Sequence, residues 1–83
     1  VIKMDKNELL MNIYKIHTTH LGISRIKRNL EIEEDVVEFC RSKVLDKKSL
    51  IYRKGKNWYI ENGAIKITIN ATSYTIITAH TRK

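Results

Sequence analysis

The residues best suited to chemistry in this 83-residue chain stand near its end, in residues 73–80, "SYTIITAH", where β-branched side chains lead to a histidine. Alternation along an extended segment divides this stretch into Tyr74, Ile76, Thr78 and His80 on one side and Thr75, Ile77 and Ala79 on the other. Placing Ile77 and Ala79 inward sends Thr78 and His80 outward, near Lys66 and Thr68 of the preceding segment. Histidine can give or take a proton near neutral pH, Lys66 supplies positive charge, and Thr78 offers a hydroxyl to position a phosphate or an attacking hydroxyl. Cleaving RNA without a metal needs just such groups: one to take the 2′-hydroxyl proton, cations to stabilise the phosphorane, and an acid for the leaving 5′-oxygen. The plainer reading of His80 is a solvated residue at the end of a strand.

A second candidate is "RKGKNWY", residues 53–59, which interleaves cations with aromatics around a tight turn. Arg53, Lys54 and Lys56 can pair with phosphates, while Trp58 or Tyr59 offers a ring for a base to stack on. Strand alternation sends only one of those two rings inward. "HTTH", residues 17–20, would make a metal-ligand pair only if a helix ran through both histidines, and the two threonines read instead as a helix junction. Cys40 falls on an apolar stripe and reads as a small core residue. There is no Gly-rich phosphate loop, nucleophile elbow or paired-carboxylate site, and neither a cofactor nor a metal is expected.

These residues must be held by elements that the hydrophobic periods predict. Asp5 followed by Glu8 has capping-box spacing, and Leu9, Ile13 and Ile16, with Leu10 and His17 beside them, mark a helix from residue 6 to about 16. Thr18 and Thr19 can cap a second helix with Ile23, Ile26 and Leu30 on its apolar face. Glu33, Glu34 and Asp35 suit the N-terminus of a third, whose buried stripe is Val36, Val37, Cys40 and Val44. Beyond Lys48 the period becomes that of strands, at 50–53, 57–61, 64–69 and 74–80, joined through Lys54-Gly55-Lys56, Asn62-Gly63 and residues 70–73. In the third strand Ile65, Ile67 and Ile69 are assigned to the core, and Lys66, Thr68 and Asn70 to an open face.

The predicted fold is α+β, with three N-terminal helices packed on one face of a four-stranded antiparallel meander. One domain spans residues 1–83, with a helical half at about 5–45 and a sheet half at about 49–81. A single cysteine excludes an internal disulfide framework, and no signal segment or long apolar run is present, so a cytoplasmic protein without a membrane partner is expected. Residues 1–3 read as an untidy start, with Met4 a candidate initiator. The net charge of +7 is unevenly spread. Residues 1–46 hold eight basic and eight acidic side chains, whereas from Lys47 onward eight basic residues face Glu61 alone. Such a field draws polyanions, chiefly nucleic acid or acidic protein.

"RKGKNWY", "KITINATSYTIITAH" and the earlier "HTTHLGISRIKRNL" together resemble a bacterial family catalogued as domain of unknown function 3781, over nearly the whole chain. That resemblance implies no particular activity. The layout of "SRIKRNLEIEEDVVEF", four strands and "TIITAH" is also similar to toxin-like ribonuclease domains of the barnase, colicin and RelE type. By that likeness Arg25 and Arg28 of the second helix join Lys66, Thr78 and His80 as catalytic residues, although no complete acid–base pair can be matched. The reading is therefore of an RNA-binding protein with metal-independent endoribonuclease activity. The alternatives are a non-catalytic module that binds nucleic acid or an acidic protein such as an antitoxin through Arg53, Lys54, Lys56, Trp58 and Tyr59, or a small regulatory homodimer.

Overall fold

Capping and alternation account for most of the elements in the computed structural model, which describes residues 6–81. Helix α1 (Asn7–Met11) is short, because the chain leaves the helix at Asn12 and continues as a 3-10 turn, Ile13–Lys15. The Asn12 amide donates to the Glu8 carbonyl at 2.8 Å, an interaction that competes with helix propagation. The expected single helix to residue 16 is thus two pieces, and Ile16 is extended. Asp5 of the expected capping box lies outside the described residues, as do residues 1–4, 82 and 83. Helix α2 (His20–Leu30) is capped by Thr19, whose hydroxyl accepts from the Gly22 N–H at 3.0 Å. It buries Ile26 and Leu30 but leaves Ile23 36 % exposed, narrowing the expected apolar face. Helix α3 (Val36–Leu45) is capped by Asp35, which accepts from the Glu38 N–H at 3.0 Å, and it buries Val36, Cys40 and Val44.

All four strands follow the helices: β1 (Leu50–Lys54), β2 (Asn57–Asn62), β3 (Ile65–Asn70) and β4 (Ile76–Thr81). They form one antiparallel sheet in the order β1-β2-β3-β4. Gly55 and Gly63 adopt φ of 61° and 58°, the left-handed geometry that tight hairpins require. The described residues form an α+β fold with three α-helices and a four-stranded antiparallel sheet.

The inner side of the sheet carries Trp58, Ile60, Ile67, Ile69, Ile76 and Ala79, which join Leu9, Ile16, Ile26, Leu30, Val36, Cys40 and Val44 in a single buried cluster. Two details depart from simple alternation. The register shifts between Thr68 and Ile69, so that Ile69 opposes Ile76 while Thr68 opposes Thr78, and Ile77 is the extra residue. Ile77 is consequently 48 % exposed, and Ile76, expected outside, is buried. Tyr74 is not in a strand; it turns the chain at φ 61° with its ring buried. Residues next to it form a parallel bridge between Thr75 and His17, in which His17 N–H donates to the Tyr74 carbonyl and Ile76 N–H to the His17 carbonyl. His17 therefore belongs to an extended segment while His20 opens α2, so the helical spacing a metal pair would need is not formed.

Candidate nucleic-acid interface

Because side chains alternate, the strand residues that do not enter the cluster form ranks across the other side of the sheet. One rank runs Leu50, Glu61, Lys66, His80, each opposed to the next in the ladder. The adjacent rank runs Tyr52, Tyr59, Thr68, Thr78. Lys54, Asn57 and Asn70 form a third. The bulge at Ile77 is what keeps Thr78 and His80 on this side even though Ile76 turns inward.

The aromatic and charged groups here are in contact. The Tyr52 and Tyr59 rings stack, with centroids 5.4 Å apart and planes at 19°. On the other flank of Tyr59, the Lys66 ammonium lies 5.2 Å from the ring centroid. Tyr52 donates its hydroxyl proton to Glu61 Oε2 at 2.6 Å. Lys66 and His80 are half-buried, and Thr68, between Tyr59 and Thr78, is only 7 % exposed. No cavity able to enclose a small molecule is found among the described residues.

Some sequence-predicted residues are elsewhere. Trp58 is 1 % exposed and cannot receive a base; of the two adjacent rings it is Tyr59 that faces outward. Arg53 opposes Trp58 on the inner side, with its guanidinium carbon 5.6 Å from the indole and its Nε–H donating to the Gly55 carbonyl at 3.0 Å. It acts as a lid on Trp58. Lys54 and Lys56 are exposed at the hairpin. Arg25 and Arg28 are exposed on α2, whose buried residues Ile26 and Leu30 belong to the inner cluster. They stand on the helical side of the sheet and do not share a rank with Lys66, Thr78 and His80. Cys40 is fully buried, and desolvation pushes its thiol up to about 12, which excludes it as a nucleophile near neutral pH.

The family model for "Protein of unknown function (DUF3781)" matches residues 10–80. The chain belongs to the DUF3781 family. No curated protein and no solved structure matches it. The matched span takes in α2, α3 and the sheet as far as His80, and so includes every residue of the three outward ranks. Among the described residues no helix is long and apolar enough to cross a membrane.

Two outward residues, Tyr52 and Glu61, were not singled out by sequence reasoning. Parity was the available signal: Tyr52 and Lys54 share a side in β1, and Tyr59 and Glu61 share one in β2. Only the ladder register places Glu61 next to Lys66.

Proposed function

We propose that the outward side of the sheet, left open by helices that pack over the inner side, binds single-stranded RNA and cleaves it without a metal. One observation carries the reading: Lys66 opposes His80 in the ladder while its ammonium rests on the outward ring of Tyr59. A proton-transfer group, a cation and a stacking ring thus adjoin one another. His80 moves the proton, Lys66 holds the phosphate charge, and Thr78 positions the phosphate or the attacking hydroxyl. In the free protein Tyr59 is flanked by Tyr52 and Lys66. A cation–π contact contributes from about 0.5–1 kcal/mol at an exposed site to about 2 kcal/mol when desolvated, comparable with the roughly 1–3 kcal/mol of a base stacked on an aromatic ring. On binding, the base takes the face of Tyr59, and Lys66 swings to the phosphate, where its charge is paired.

End-labelled single-stranded RNA incubated with the protein in excess EDTA tests this reading. Cleavage that is lost in His80→Ala, with RNA binding kept, is the expected result. Undiminished cleavage by His80→Ala would overturn the assignment. A second reading rests on the exposure of Lys54 and Lys56 at the hairpin: a binding module without catalysis, reached by nucleic acid or an acidic protein. It requires no cleavage by the native protein and loss of binding in Lys54→Glu or Lys56→Glu.

A further inference from the structure

We infer that Glu61 is the general base of the proposed site and His80 its general acid. This inference rests on the RNA-cleaving reading above and supplies the proton acceptor which that reading lacks. Glu61 on β2 and His80 on β4 flank Lys66 on β3 in one rank. Strands are spaced about 4.8 Å apart, so the backbones bearing Glu61 and His80 are roughly 10 Å apart, with the backbone of Lys66 between them. In-line displacement at phosphorus has the entering oxygen on one side and the leaving oxygen on the other, and therefore needs its base and acid on opposite sides. A phosphate held over Lys66 meets that requirement.

The carboxylate is also oriented. Tyr52 Oη–H donates to Glu61 Oε2 at 2.6 Å, and the Tyr52 ring is itself held against Tyr59. In the ladder Glu61 stands opposite Leu50 of β1 and Lys66 of β3, and it accepts the hydroxyl proton of Tyr52 of β1. Glu61 is moreover the sole acidic residue from Lys47 to the end of the sequence. A surface that only binds phosphates would gain from its removal, since the carboxylate repels the ligand.

In the reaction, the Glu61 carboxylate takes the proton of the 2′-hydroxyl as the 2′-oxygen bonds to phosphorus. The bond from phosphorus to the 5′-oxygen breaks, and the His80 imidazolium gives its proton to that oxygen. One product ends in a 2′,3′-cyclic phosphate and the other in a 5′-hydroxyl. Exchange with water then restores both side chains.

The test measures binding and cleavage side by side, in EDTA, with an end-labelled single-stranded RNA and its 2′-deoxy counterpart. Glu61→Gln should bind RNA at least as tightly as the native chain yet cleave about 10²–10⁴-fold more slowly, with the acidic limb of its pH–rate profile gone. Tyr52→Phe keeps the ring but removes the hydrogen bond to the ionised carboxylate, so that limb should move to higher pH while the 2′-deoxy RNA remains uncut. Native-rate cleavage by Glu61→Gln, or an acidic limb that survives in it, overturns the inference. Binding by the native chain without any cleavage overturns it too, while leaving the RNA-binding reading intact. Absence of binding by the native chain defeats that reading itself, and with it the role of Glu61.

Discussion

Lys66 and His80 oppose each other across the β3–β4 ladder only because a bulge absorbs Ile77. Without the extra residue, β4 would keep strict alternation and could not bury both Ile76 and Ala79. Burial of these two residues, on either side of the shift, thus fixes His80 on the outward side. This coupling of core packing to site geometry underlies the account and gives its variants separable phenotypes.

Trp58 and Tyr59 should behave in opposite ways although they are neighbours. Trp58→Ala removes a fully buried indole and should cost about 3–5 kcal/mol, a large part of the roughly 4–12 kcal/mol expected for a domain of this size. Urea denaturation should show the midpoint falling steeply. Trp58→Phe, which keeps an aromatic ring in the core and dispenses with an indole N–H that has no hydrogen-bond partner among the described residues, should fold and bind RNA as the native chain does.

Arg41 ties α3 to the turn after α1. Its Nη2 donates to the carbonyls of Tyr14 at 3.0 Å and Ile16 at 3.2 Å, and its Nη1 to Glu38 Oε2 at 2.9 Å. The two carbonyls lie where the first helical segment has ended, so the guanidinium substitutes for the missing helix bonds. Arg41→Ala should destabilise by about 2 kcal/mol, and Arg41→Lys, with no planar fork, should recover only part of the loss. Equilibrium urea unfolding with an unchanged slope would establish both values.

Cys40 predicts a loss of stability in alkali. The thiol goes from an ordinary 9.0 to about 12 on burial, so between these pH values the unfolded chain has given up a proton that the folded chain still holds. Stability therefore falls as pH rises through this window, by at most about 1.4 kcal/mol per pH unit from this one group. Cys40→Ala should show a shallower decline than the native chain between pH 9 and 12 in thermal melts. At pH 8 the native thiol should resist alkylation until the chain is unfolded.

Asp46 predicts the reverse at low pH. The Lys48 backbone N–H at 2.9 Å and the Asn62 amide at 3.1 Å hold its carboxyl below the usual carboxylate range. Its contribution is present above the unfolded-state value and is lost as pH falls through the lower folded value. Asn62→Ala should raise the carboxyl towards its ordinary position and flatten that part of the acid-denaturation curve. Carboxyl chemical shifts followed through an acid titration would show the change directly.

Much of the sheet was legible because its signals are local. Gly55 and the Asn62-Gly63 pair marked the hairpins, and the parity of Ile65, Ile67 and Ile69 placed the core side of β3 correctly. The helix caps at Thr19 and Asp35 were also readable, since each acts within three residues. What escaped depends on distant partners. Asn12 ends α1 where hydrophobic spacing alone would continue it, and Arg41 then compensates from a residue 25–27 positions away. The bulge at Ile77 reverses the parity of β4, and the bridge from Thr75 to His17 joins the two halves of the chain. Glu61 read as a lone charge because its significance lies in the register with Lys66. Arg25 and Arg28 were drawn towards the site by layout alone; they are exposed on α2, whose buried residues Ile26 and Leu30 join the inner cluster.

The most direct measurement of the central claim is the affinity of the protein for a labelled single-stranded RNA across a salt series, with Tyr59→Ala alongside and its folding verified by circular dichroism. Affinity should fall linearly in log–log form with salt, and Tyr59→Ala should weaken binding by about 5–150-fold, corresponding to the roughly 1–3 kcal/mol of one stacked base. Binding that is absent or insensitive to salt, or that is equally tight in folded Tyr59→Ala, would contradict the assignment of the outward sheet surface as an RNA platform.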